Sequence, residues 1–359
     1  MGLGSRAVEV MGLNTAFWAR QRVLLTGHTG FKGAWASLWL ERLGATVYGL
    51  SLAPDQVPDL FSQVVPFARQ HSTIADVTDR DAVRRVVDAA APTLVLHMAA
   101  QPLVRRSYAE PRLTFATNVM GTVELLDALA AQPGIAAVLI VTTDKVYRND
   151  GGGRRFVESD ALGGHDPYSA SKAAAELVTA AFAASRLAAV PVATARAGNV
   201  IGGGDWSIDR LVPDAWRATR DGTTLELRYP QATRPWQHVL DSIGGYLTYL
   251  EALAERPAGL PRALNFGPAD PGLTVAEIIE SLAAAGMGSS WRQAPGDHPR
   301  EAPALALNPA AARAALGWRT RLDAADTARW TADWYRRYDA GDNARALCDA
   351  QITAYEDLR

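Results

Sequence analysis

Short apolar runs alternate with helical repeats through the first two hundred residues. Residues 22–26 (RVLLT) read as a buried strand, and residues 46–50, 71–75, 93–98, 138–141 and 192–196 repeat that pattern. Between these runs the apolar spacing changes to a helical period. One such stretch runs from a glycine turn to Leu43. Another spans Phe115 to Gln132, with Phe115, Val119, Val123, Leu126 and Leu129 in helical register. A third follows Tyr168, is rich in alanine and carries Leu177, Val178 and Phe182. This alternation predicts an α/β fold: a doubly wound (Rossmann) parallel sheet with a smaller, mostly C-terminal α/β domain. Residues from about 272 to 359 read as short helices, in which Trp291, Trp318, Trp330 and Trp334 mostly pack.

Composition removes several function classes. The chain has 359 residues, 48% apolar and 21% charged, with a net charge of −2. No polybasic field addresses nucleic acid or an anionic membrane. Cys348 is the single cysteine. It rules out a disulfide framework or a cysteine-rich metal site and fits a reducing cytoplasm. No apolar run reaches transmembrane length, the first ten residues lack a secretory apolar region, and no metal-ligand spacing occurs.

The first strand runs into Gly27-His28-Thr29-Gly30-Phe31-Lys32-Gly33 and then a helix. Strand, glycine turn and helix make a cradle for a dinucleotide phosphate, with backbone N–H donors at the helix start. The spacing is G-x-x-G-x-x-G; a glycine turn serving only helix–sheet packing is the rival reading. The second strand ends in Ser51-Leu52-Ala53, with no acid to grip a ribose and no arginine for a 2′-phosphate. The missing cation favours NAD. Asp76 either meets the adenine or caps a helix, a role that Asp79 can also take. His97, in a strand ending Ala99-Ala100-Gln101, reads as a packed core residue.

The stretch from Thr142 to Lys172 carries the candidate chemistry. Thr142, Thr143, Asp144 and Lys145 follow the apolar strand at its carboxyl end, where open α/β sheets bind ligands. Tyr168 and Lys172 stand at i and i+4, one helical turn apart. An ammonium about 4–5 Å from the phenol, at an effective dielectric of about 20, favours phenolate by about 4 kcal/mol. That predicts a phenol brought near working pH. Adjacent strand residues point to opposite faces, so Asp144 and Lys145 share a site only if the strand has ended and the chain turns there. Arg210, Arg228 and Arg234 suit a phosphate and sugar ligand through bidentate contacts.

These stretches resemble the extended short-chain dehydrogenase/reductase family of sugar-nucleotide enzymes, most closely its branch that dehydrates CDP-glucose. The resemblance runs from Phe17 to about Trp334. It rests on VLLTGHTGFKG (23–33), HMAAQPLVR (97–105), NVMGT (118–122), TDK (143–145), DPYS (166–169), RAGNVIGGGDW (196–206), RPWQHVL (234–240) and NFGP (265–268). It implies an intramolecular redox dehydration giving a 4-keto-6-deoxy sugar. Tyr168 would take the C4 hydroxyl proton, Thr143 would hydrogen-bond the C4 oxygen, and Lys172 would hold the nicotinamide ribose. Asp144 would protonate the departing C6 hydroxyl and Lys145 would act at C5. The pair would hold one proton between its members and titrate as a unit. The implied NAD contacts are Gly27, Thr29, Gly30, Phe31, Lys32, Gly33, Asp76, Val77, Ala99, Ala100, Gln101, Asn118, Thr142, Tyr168 and Lys172. The implied substrate contacts are Arg105, Asn199, Arg210, Leu211, Arg228, Arg234 and His298. Pro303 and Ala304 depart from the family's substrate-covering region, and the loop 148–156 with its three glycines is unusual.

The expected division is an NAD-binding domain over 16–200, rejoined by about 232–270, and a substrate domain of 201–231 and 271–359. Residues 1–15 are expected to be poorly ordered. A homodimer or tetramer is expected through the helices after Phe115 and Tyr168, although core packing gives the same pattern. Two other readings remain at this point: a sugar-nucleotide 4-epimerase, which would not need Asp144 and Lys145, and a non-catalytic NAD-binding protein.

Overall fold

Seven parallel strands form the central sheet of the computed structural model, which describes residues 12–270, 272–288, 290–296 and 305–358. They are β1 (Arg22–Thr26), β2 (Thr46–Ser51), β3 (Gln70–Ile74), β4 (Leu94–His97), β5 (Ala137–Thr143), β6 (Val192–Ala197) and β7 (Ala263–Phe266). Their order is β7-β6-β5-β4-β1-β2-β3, and every neighbouring pair is parallel. The order reverses at β1, so a crevice opens beyond the carboxyl ends of β1 and β4. All seven residues of β5 are buried, as a central strand covered on both faces requires. The edge strand β3 is mostly exposed, which accounts for its polar sequence.

Helices cover both faces. The longer ones begin with α1 (Phe31–Arg42), α2 (Arg80–Ala90) and α3 (Gly121–Leu129). Next come α4 (Pro167–Ala183), α5 (Leu211–Arg220) and α6 (Val239–Glu255). The chain ends with α7 (Val275–Ala284), α8 (Ala324–Asp339) and α9 (Ala344–Asp357). α1 and α6 build one core with β5 and the C-terminal helices. α2, α3 and α4 build the other. The expectation of short C-terminal helices holds for α7 and for Ala310–Leu316 and is corrected by α8 and α9, of 16 and 14 residues. Of the first fifteen residues, expected to be poorly ordered, 1–11 lie outside the described residues. Asn14 caps a short helix, Thr15–Trp18, and its N–H donates to Glu251. No helix among the described residues is long and apolar enough to cross a membrane.

The stretch from Phe115 is not one regular helix. A short helix, Pro111–Phe115, widens into a π turn at Ala116–Met120 before α3 begins. The extra residue shifts the helical phase. Phe115 therefore leaves the face carrying Leu126 and Leu129 and is 40% exposed.

Candidate active site

β5 stops at Thr143, and a tight 3₁₀ turn, Asp144–Val146, follows at once. The turn suspends the strand alternation, so consecutive side chains meet. Lys145 Nζ lies 3.0 Å from Asp144 Oδ1, and Thr143 Oγ1 donates to the same oxygen at 3.0 Å. Asp144 is fully buried, and its Oδ2 has no hydrogen-bond partner among the described residues. A buried carboxylate oxygen without a partner calls for a hydrogen-bond donor.

α4 starts sharply because Asp166 accepts from Ser169 N at 2.9 Å and Pro167 takes the first helical position. Tyr168 and Lys172 then lie one turn apart, both buried, beside the end of β5. Lys172 Nζ donates to Val141 O at 3.0 Å. The expected lowering of the phenol does not occur. Burial pushes Tyr168 up to about 12, opposed by hydrogen bonding with Thr143 and reinforced by the Asp144 carboxylate. Burial also lowers Lys172 to about 8, against the pull of Glu176. Here desolvation of phenolate outweighs the Arg210 charge, which acts the other way.

Sequence reasoning missed the network behind this floor. Glu176, one turn beyond Lys172, accepts from Arg196 at 2.9 and 2.7 Å and from Thr194 at 2.8 Å. It also accepts from Thr142. Arg196 donates on to Tyr147 at 2.8 Å, and Tyr147 donates to Asn265 at 2.6 Å. The i+4 spacing of Glu176 from Lys172 was the one available signal.

The glycine loop approaches its neighbours too closely for side chains. A Cβ on Gly33 would stand 2.0 Å from Gly27 O. Gly27, at φ +76°, would bring one within 2.8 Å of Ala99 N. Gly30 caps α1 with no side-chain acceptor, and the first turn holds no acid. Its N–H groups therefore face the crevice with an anion-binding character that fits a dinucleotide phosphate. Thr29 Oγ1 donates to Leu52 O and contacts Ser51 Oγ at the tip of β2. His28, which sequence reasoning passed over, is buried and pairs with Ser72 Oγ at 2.6 Å.

The remaining candidates take distinct positions. Asp79 caps α2, accepting from Asp81 N and Ala82 N, whereas Asp76 accepts from Thr78 N. Val77 is buried beneath Gly121. Ala99 and Ala100 follow β4, and Asn118 ties that loop to α4. Its Oδ1 accepts from Gln101 N, and its Nδ2 donates to Ser171 Oγ, each at 2.8 Å. His97 is a core residue as expected, joined to Thr26 and Thr122 and lowered to about 3 by burial.

Among the substrate candidates, Arg210 reaches the site: its charge acts on Tyr168 and Lys32, and it pairs with Asp205 at 3.3 Å. Arg105 is paired with Asp209 at the rim. Asn199 accepts from Gln237 N through its backbone, Leu211 opens α5, and Arg228 acts on Asp214. Arg234 is buried and donates to Thr233 O. His298, with Pro303 and Ala304, lies outside the described residues.

Comparison with known proteins gives a consistent set. The family model "NAD dependent epimerase/dehydratase family" matches residues 23–267. The chain is 42% identical over 320 residues to CDP-glucose 4,6-dehydratase of Salmonella typhimurium, covering 87% of this chain and 89% of that protein. The dTDP-glucose 4,6-dehydratase of Streptomyces venezuelae, solved with NAD, superposes with a TM-score of 0.75 at 26% identity, covering 89% of this chain and 98% of that one. The UDP-glucose 4-epimerase of Thermus thermophilus, complexed with NAD, gives 0.77 at 26% identity over 88% of this chain and 98% of that one. The model spans more than half of the sequence, and the fold it describes is the one built here from seven strands and a glycine-lined crevice: the chain belongs to the NAD dependent epimerase/dehydratase family.

Proposed function

We propose that this protein is a CDP-glucose 4,6-dehydratase, converting CDP-glucose to CDP-4-keto-6-deoxyglucose. The observation that carries the reading is the Asp144–Lys145 pair, turned into the crevice by the end of β5. An enzyme that only oxidised and reduced C4 would have no use for it. The 42% identity to the Salmonella enzyme supports the same substrate.

NAD, when bound, supplies hydride acceptance from C4 and return to C6. The chain supplies the proton chemistry. Tyr168 takes the C4 hydroxyl proton, with Thr143 hydrogen-bonded to the C4 oxygen. Lys172 orients the nicotinamide ribose. The new carbonyl acidifies C5–H, Lys145 removes that proton, and Asp144 delivers one to the C6 oxygen as it leaves as water; C5 regains a proton from solvent as hydride arrives at C6, and Tyr168 releases the proton it took to solvent. The ion pair and its neutral form differ only in where one proton sits, so the pair shuttles it across about 3 Å without a free charge in the crevice.

Incubation with CDP-, dTDP-, GDP- and UDP-glucose, read by the alkaline ultraviolet absorbance of the 4-keto product, is expected to favour CDP-glucose. An epimerase would give no keto chromophore. Lys145→Met in D2O is expected to lose turnover and to incorporate no deuterium at C5. Near-normal turnover with C5 exchange would remove Lys145 from the base role.

The protein is proposed to act as a cytoplasmic homodimer, with residues 201–231 and 271–359 forming the substrate half. Leu113, Phe115, Met120 and Leu177 leave apolar surface exposed on the Pro111–Phe115 helix, the π turn and α4, which pack together. A second copy meeting this surface would bury it symmetrically. Met120→Glu combined with Leu177→Glu is expected to halve the mass measured by light scattering; a monomeric wild type would overturn the proposal.

A further inference from the structure

Three residues of 3₁₀ helix, Asp144–Val146, carry the Asp144–Lys145 pair. So short a turn takes its direction from what flanks it. Upstream is β5, where Thr143 pairs with Ala197 of β6. Downstream is Tyr147, which is buried. Its ring lies flat on Phe156, with centres 4.9 Å apart and planes 4° apart. Its hydroxyl accepts from Arg196 at 2.8 Å and donates to Asn265 at 2.6 Å. Arg196 on β6 and Asn265 on β7 stand opposite each other in the sheet. The far end of the turn is thus bolted to two central strands through one phenol.

The same sheet sets the other side of the pair. With Thr143 opposite Ala197, the next residues along, Asp144 and Gly198, meet where the two strands end. A Cβ on Gly198 would stand 3.1 Å from Asp144 Oδ2 and 2.6 Å from Pro235 Cγ. Gly198 is not among the glycines with positive φ, so the close contact, not the backbone, calls for glycine here. Gly198 and Pro235 wall the carboxylate, while Tyr147 fixes the chain beyond Lys145.

We propose that Tyr147 and Gly198 are positioning residues for the elimination of water and not for the oxidation at C4 that precedes it. The proposal rests on the dehydratase reading. Elimination breaks C5–H and C6–O and makes C5=C6; Lys145 takes the C5 proton and Asp144 gives one to the departing oxygen. Both transfers depend on where the turn holds these two side chains against one sugar. Oxidation at C4 uses Tyr168 and Lys172, which α4 positions separately through the Asp166 cap and the bond from Lys172 to Val141 O. Arg196 keeps its bonds to Glu176 when the Tyr147 hydroxyl is removed, so that side of the site is spared.

Tyr147→Phe keeps the stacking and removes the hydroxyl; Gly198→Ala crowds the carboxylate from the other side. Each NAD-loaded variant is mixed with CDP-glucose for a single turnover, and bound NADH is followed by its absorbance. Appearance of NADH reports oxidation at C4, and its decay reports hydride return after water has left. Appearance is expected within about twofold of wild type and decay slower by about 10- to 100-fold, so that NADH accumulates. A merely structural role would lower the amplitude of the whole signal and leave the ratio of the two rates unchanged. A residue whose variant slows both phases alike, or neither, has no positioning role, and that result in both variants overturns the proposal. Gly198→Ala decides the matter if Tyr147→Phe does not fold. A wild type that forms no 4-keto product removes the dehydratase reading and this proposal with it; a productive wild type with unselective variants removes the proposal alone.

Discussion

Tyr168→Phe will leave the fold and NAD content unchanged and lower turnover of CDP-glucose by about 10²- to 10⁴-fold. The substitution removes one oxygen from a buried position beside Thr143, and the aromatic packing survives. The wild-type pH profile should report the electrostatics of the same group. The phenol, held up to about 12 by burial, gives more of its base form as pH rises. Lys172, lowered to about 8 by burial, discharges in the opposite sense. Turnover should climb towards pH 8 and then flatten. A phenylalanine variant that retained a tenth of wild-type turnover would leave Tyr168 without its proposed role.

The second large effect is on stability. Arg196 and Glu176 have side chains only 5% and 4% exposed and meet through two short contacts. Arg196→Met leaves the Glu176 carboxylate buried without its cation, which costs about 3–5 kcal/mol. Replacing both residues with methionine should cost much less, because no charge is then stranded. Urea unfolding of the two variants and their parent measures the difference. Equal losses in the single and double variants would show that packing, not the ion pair, governs this layer. Thr142 bonds to Glu176, so the single variant should also lose activity.

What could be seen beforehand follows from the range of each interaction. The inner strands stood out because a buried parallel strand needs an unbroken apolar run. β7 did not: Ala263–Phe266 is four residues long and is defined by its pairing with β6. The glycine loop was legible because Gly27 and Gly33 meet backbone at distances no Cβ tolerates. The spacing of Tyr168 and Lys172 was equally plain, since helical geometry is local. The direction of the phenol's pKa was not, because desolvation depends on everything packed around it. Nor could alternation along β5 tell whether Asp144 and Lys145 share a face; the 3₁₀ turn decides that. The pairing of Glu176 with Arg196 joins α4 to β6, beyond the reach of any local pattern.

The π turn at Ala116–Met120 aims Asn118 at the Gln101 amide and Ser171, while Met120 on the same turn looks outward and is 49% exposed. Inner floor and outer skin are thus geared through a single loop of backbone. A change in the outer part of the turn shifts the backbone that carries the Asn118 amide. Substitutions on this outer surface should therefore be felt at Gln101 and Ser171.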